Sequence, residues 1–175
     1  MSNNFLQQLV QEARKLFCNC KKNEKDRRKK LIEMLGLENK EPSFHRVFLK
    51  ERRLDLEENN IIVELKIAKN GSWSYEEAMQ DAYIWHRRGI LKEKITTQAQ
   101  KLVLIIWHES TEPVPEEQIK KLFFPNPENV VIGSDDDEDY LRNFLESDFG
   151  VIVIYDDNNE ECRSGKARIR IYYSN

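Results

Sequence analysis

The stretch IIVELKIA, residues 61–68, decides how this chain is read. Every residue in it but Glu64 and Lys66 is apolar. A strand repeats every two residues, so Ile62, Glu64 and Lys66 project from one face and Val63, Leu65 and Ile67 from the other. An acid and a base side by side on the most strand-like segment admit two readings, a solvated outer face or a reaction centre. The neighbouring sequence has to choose between them.

Upstream, SFHRVFLKERRLDLEENN (43–60) reads as two more strands of a meander. Val47 and Leu49 alternate in the first, Leu54 and Leu56 in the second, and the EENN turn leads into residue 61. Downstream, NGSWS is a turn, and Ser74 with Glu77 forms a capping box opening a helix that runs to Gly89. Ala78, Ala82 and Trp85 stripe that helix. KLVLIIWHE (101–109) is a nearly continuous apolar run of strand length, the pattern of a strand buried on both faces. Before the meander, Phe5, Leu9, Val10 and Leu16 are spaced for an amphipathic helix over 3–17. A second helix over about 24–35 turns Leu31, Ile32 and Leu35 inward and stops at Gly36. After residue 109 come a helix (EEQIKKLFF), a strand (NVVIGS), a helix (DEDYLRNFLESDF) and two closing strands, GVIVIYDD and ARIRIYYS. The class is mixed α/β around a central sheet, in a single domain over 1–175.

With 175 residues, 34% of them charged, the expectation is a soluble globular protein with a heavily charged surface and a sizeable core. No apolar run reaches the length of a membrane helix, and MSNNFLQQLVQEARK lacks the basic start and apolar stretch of a secretory signal. Cys18 and Cys20 have no second pair with which to build a zinc site. Three cysteines then read as reduced thiols in an intracellular, cytoplasmic protein. The net charge of −3 hides an asymmetry: residues 1–53 carry 14 Lys/Arg against 7 Asp/Glu, and the remainder 14 against 24. KKNEKDRRKK (21–30) holds seven of the cations. It reads either as a solvated helix face or as a contact with a phosphate backbone.

On the second meander strand Leu54 and Leu56 face one way, so Asp55 faces the other, with Arg53. A hairpin closing at ENN brings this strand beside 61–68, and Asp55, Glu64 and Lys66 converge on one face. Two carboxylates on neighbouring strands suit a hard divalent cation such as Mg²⁺ or Mn²⁺. A lysine beside them can orient a water or stabilise charge growing on a phosphoryl group.

The pattern Asp-x8-Glu-x-Lys, with helix, three-strand meander, helix and strand around it, resembles the PD-(D/E)xK nuclease superfamily. The resemblance covers about residues 24–109, a restriction-endonuclease-like core, and leaves about 110–175 as a C-terminal α/β extension. It implies that Asp55 and Glu64 bind Mg²⁺, that Lys66 assists the attacking water, and that Gln80 on the following helix positions substrate or lysine. Tyr83 and Glu33 are weaker matches to further family positions, and RLD stands where the family often has Pro-Asp.

The function implied is a Mg²⁺-dependent endonuclease acting on DNA, most simply as a homo-oligomer without membrane contact. Lys21, Lys22, Arg27, Arg28, Lys29, Lys30 and Arg53 are the candidate nucleic-acid contacts. The competing readings are a non-catalytic nucleic-acid- or protein-binding module on the same fold, and an RNA endonuclease. His45, His86 and His108 read as histidines with satisfied hydrogen bonds, Arg87 and Arg88 as helix-end cations, and Trp73 and Trp85 as core.

Overall fold

The computed structural model describes residues 2–19, 23–37, 44–47, 50–53, 56–69, 72–82, 101–135, 139–156, 162, 165 and 167–174. Helix α1 (Ser2–Asn19) is followed by α2 (Glu24–Met34) and by strands β1 (Phe44–Val47), β2 (Lys50–Arg53), β3 (Leu56–Glu58) and β4 (Ile61–Ala68). Helix α3 (Ser72–Ala82) leads to β5 (Lys101–His108), α4 (Glu116–Phe123), β6 (Val130–Ser134), α5 (Tyr140–Leu145), β7 (Phe149–Tyr155) and β8 (Arg168–Ser174).

Six strands form one mixed sheet in the order β3-β4-β5-β7-β8-β6. The centre, β4-β5-β7, is parallel, and the flanking pairs are antiparallel. Strand β5 is buried at all eight positions because β4 and β7 flank it and helices cover both faces, as its unbroken apolar run requires. On one face Val63, Leu65, Val103, Ile105, Ile152 and Ile154 meet Leu6 and Leu9 of α1, Leu31 of α2 and Phe144 of α5. On the other face Ile62, Leu104, Ile106 and Val153 meet Tyr75 and Ala78 of α3 and Ile119 and Phe123 of α4. Residues 110–175 therefore complete the same sheet, β7 lying directly beside β5.

Local chemistry sets the joints. Asn59 and Asn60 both take positive φ, 51° and 64°, the backbone of a two-residue type I′ hairpin, and Glu58 pairs with Ile61 beside them. Helix α2 opens on Asn23, whose side chain accepts from the Asp26 N–H at 2.9 Å. It closes at Gly36 (φ 70°), where the Gly36 N–H bonds the Glu33 carbonyl and the Leu37 N–H the Ile32 carbonyl. That pairing is a Schellman cap, and Leu37 packs back on the core.

Three expectations need correction. The meander does not enter the sheet as three strands: β1 and β2 form a two-stranded ribbon of their own, and only β3 pairs with β4. Helix α3 starts at Ser72, so Ser74 lies inside it and does not cap it. The reduced-thiol reading fails for two of the three cysteines, because Cys18 at the end of α1 is disulfide-bonded to Cys162 before β8. Among the described residues, no helix is long and apolar enough to cross a membrane.

Candidate active site

The alternation read from residues 61–68 holds. Val63 and Leu65 face α1 and α2, and Ile62 faces α3 and α4 together with Glu64 and Lys66. Glu64 is 7% exposed and Lys66 half-buried, so this is not a solvated face. Their neighbours across the parallel ladder are Leu104 and Ile106, both apolar. A carboxylate in such company is costly unless charged or hydrogen-bonded groups compensate it.

Ala68, one face-position beyond Lys66, stands opposite His108 of β5. His108 is 4% exposed and fully engaged: Nε2 lies 2.7 Å from the Glu112 carbonyl and Nδ1 2.9 Å from the Tyr75 hydroxyl. A carbonyl can only accept, so Nε2 carries the proton, and Nδ1 accepts from Tyr75. Burial lowers the His108 pKa and keeps the ring neutral, while burial raises that of Tyr75 and keeps its hydroxyl a donor. This is the satisfied histidine that the sequence suggests. Its consequence is a clamp that fixes α3 over the face bearing Glu64 and Lys66.

The other candidate residues distribute as follows. Asp55 lies outside the described residues, as do Lys21, Lys22, Tyr83, His86, Arg87 and Arg88; so do the side chains of Arg53 and His45. Gln80 is exposed on α3, whereas Tyr75 and Ala78 of that helix face the sheet, so α3 does not carry Gln80 toward Glu64. Lys29 and Lys30 are exposed on α2, Arg28 is half-buried, and Glu33 is exposed.

Arg27 is a correction. It is fully buried, pairs with the Glu109 carboxylate and lies 5.4 Å from the Trp107 ring centroid. A guanidinium committed to an internal carboxylate and an indole face is not a surface contact for phosphate. The basic run could not reveal this, because the deciding partner is 82 residues away.

Among the described residues, no group of three or more His, Cys, Asp or Glu side chains is placed to hold a metal ion. Glu64 offers one hard oxygen ligand on the α3 face, which fits half of a Mg²⁺ site; Asp55 would have to supply the other half. Compared with known proteins, the chain matches no family model, no curated protein and no solved structure.

Proposed function

We propose that this protein is a Mg²⁺-dependent endonuclease of restriction-endonuclease-like type that hydrolyses phosphodiester bonds of DNA. The observation that carries the reading is the burial of Glu64 beside Lys66 on a central strand, beneath a helix pinned to that sheet face by Tyr75 and His108. Such a pair is disfavoured as mere surface decoration, because a buried carboxylate costs free energy unless a partner or a bound cation compensates it. The pair Leu56↔Val63 gives further support, since Asp55 and Glu64 are the residues that adjoin this pair in sequence.

Bound Mg²⁺ would supply a water of lowered pKa and neutralise charge on the phosphoryl oxygens. Glu64 and Asp55 would hold that ion. The Lys66 ammonium would orient the water and stabilise negative charge as it grows. Gln80 has no part in this proposal, because its side chain lies on the solvent side of α3. DNA contact would fall to Lys29 and Lys30, gathered from several copies in a homo-oligomer.

The test is incubation of supercoiled plasmid, and separately of single-stranded RNA, with Mg²⁺ or EDTA. Nicking of plasmid with Mg²⁺ is expected, falling on the order of 100-fold in Glu64→Ala and Lys66→Ala. Cleavage that survives both substitutions would overturn the site. Binding without cleavage would make the chain a non-catalytic module, and cleavage of RNA alone would change the substrate.

A further inference from the structure

The six-stranded sheet ends on one side at β3 and on the other at β6. An edge strand offers a row of backbone N–H and C=O groups to another chain, and proteins blunt it with charge, proline, a bulge or shortness. Edge β3 is blunted, having three residues of which two are Glu57 and Glu58. Edge β6 is not. Val130–Ser134 holds no charge and no proline, and its five residues pair with β8 in unbroken register. Among the described residues no strand lies beyond it. In a chain of which 34% is charged, an uncharged edge is a departure that a partner strand explains.

The side chains agree. Ile132 is 38% exposed, the one large apolar side chain left exposed among the described residues. It stands beside Tyr172 of β8 on the face covered by α4. Val131 packs on the opposite face. Gly133 lies under the start of α5, where a methyl group would stand 3.3 Å from Tyr140 Cβ.

The occupant that fits is a second copy of the same strand. A two-fold axis at Ile132 runs the two strands antiparallel, and directly opposite residues then share a face. Ile132 meets its own counterpart, which covers the exposed side chain. Val131 stands across from Gly133 of the second copy, a branched side chain beside a residue that has none. The acidic runs 135–139 fall at opposite ends of the seam, and Asp135 is already met by Arg14 and Arg168. Pairing β6 with β3 of another copy would build an open filament, which Glu57 and Glu58 oppose. Self-pairing of β6 uses the open edge and closes the assembly at two chains.

We propose that β6 joins two copies of this chain edge to edge, making one continuous sheet from two six-stranded ones. This supplies the oligomer that the endonuclease reading invokes, but it stands on the edge strand alone and needs no cleavage.

Sedimentation velocity of the full chain from about 1 µM to about 300 µM tests it. A species of twice the 20.9 kDa chain mass is expected, dissociating on dilution because a single-strand seam is a small interface. Ile132→Lys sets a charge on the seam at an exposed position and should weaken the dimer by roughly tenfold or more, with an unchanged circular-dichroism spectrum. If that variant does not fold, cross-linking decides. In a Cys20→Ser background a short bis-maleimide should join two copies of Ile132→Cys and should not join Lys15→Cys, also an exposed position. A chain that stays monomeric throughout overturns the proposal, as does a ladder of ever larger species. So does a dimer that Ile132→Lys leaves intact, or one cross-linked through Lys15→Cys and not through Ile132→Cys. Plasmid nicking measured in parallel separates the two proposals: a dimer that does not nick leaves the seam standing, and nicking by a monomeric chain overturns the seam alone.

Discussion

Arg27 of α2 and Glu109 at the end of β5 form an ion pair against the Trp107 ring, with the arginine side chain 1% and the glutamate 16% exposed. The Trp107 indole N–H in turn donates to the Ala13 carbonyl of α1 at 3.0 Å, so one cluster joins α1, α2 and the central strand. Arg27→Met removes the charge and leaves Glu109 facing a largely apolar layer. The expected loss is about 3 kcal/mol, read as a lower urea midpoint at unchanged slope. Adding Glu109→Gln should recover part of it, because the uncompensated carboxylate is then gone.

Two buried bases give the stability a definite pH dependence. Burial lowers the His108 pKa below its ordinary 6.5, so the unfolded chain takes up a proton first as the pH falls. Stability should therefore drop as the pH is lowered through about 6.5. Burial lowers the Lys101 pKa to about 8 from 10.5. Between those values the unfolded chain holds more protons, so stability should rise with pH across that window. Melting temperatures between pH 5 and 10.5 check both: His108→Gln should flatten the acid limb and Lys101→Met the alkaline one.

Gly150, in β7, is the position that lets α5 close on the sheet. A methyl group there would stand 1.9 Å from Phe144 Cε2. The Phe144 ring cannot retreat easily, being fully buried, edge-on to Tyr173 at 6.0 Å and covered by the Lys101 ammonium at 4.3 Å. Gly150→Ala should cost about 2–3 kcal/mol through overpacking. Gly36→Ala, with open space around it but a positive φ, should cost less. Chemical denaturation of the two variants side by side checks the order.

The Cys18–Cys162 bond restricts the unfolded chain over a separation of 144 residues. Reduction, or Cys162→Ser, should lower stability by about 2–4 kcal/mol. Parallel melts with and without reductant check this.

What the sequence disclosed follows the range of the forces involved. Alternation in 61–68, the unbroken apolar run of β5 and the 3.6-residue spacing of α1 report burial of adjacent faces, which local pattern encodes directly. The Asn59-Asn60 turn and the Gly36 stop are likewise local chemistry. Arg27 was not legible, since a run of cations cannot say which member turns inward when the deciding carboxylate is Glu109. Nor was the strand order: β7 inserts beside β5 and β6 goes to the edge, a choice made by packing among distant segments. Of the proposed site, the shared face of Glu64 and Lys66 was visible from periodicity, and the unbroken apolar run of 101–109 with the helix after the motif already implied that the face is covered. That depends on α3, held by the Tyr75–His108 bond across 33 residues.

A bond joining residues 18 and 162 also makes the segment between them a covalent ring. One peptide-bond cut anywhere inside that ring leaves a single molecule of unchanged mass apart from the added water. Such a nicked protein would migrate as one band without reductant and separate into two pieces with it. Limited proteolysis resolved under both conditions thus maps cleavage within the ring separately from cuts outside it.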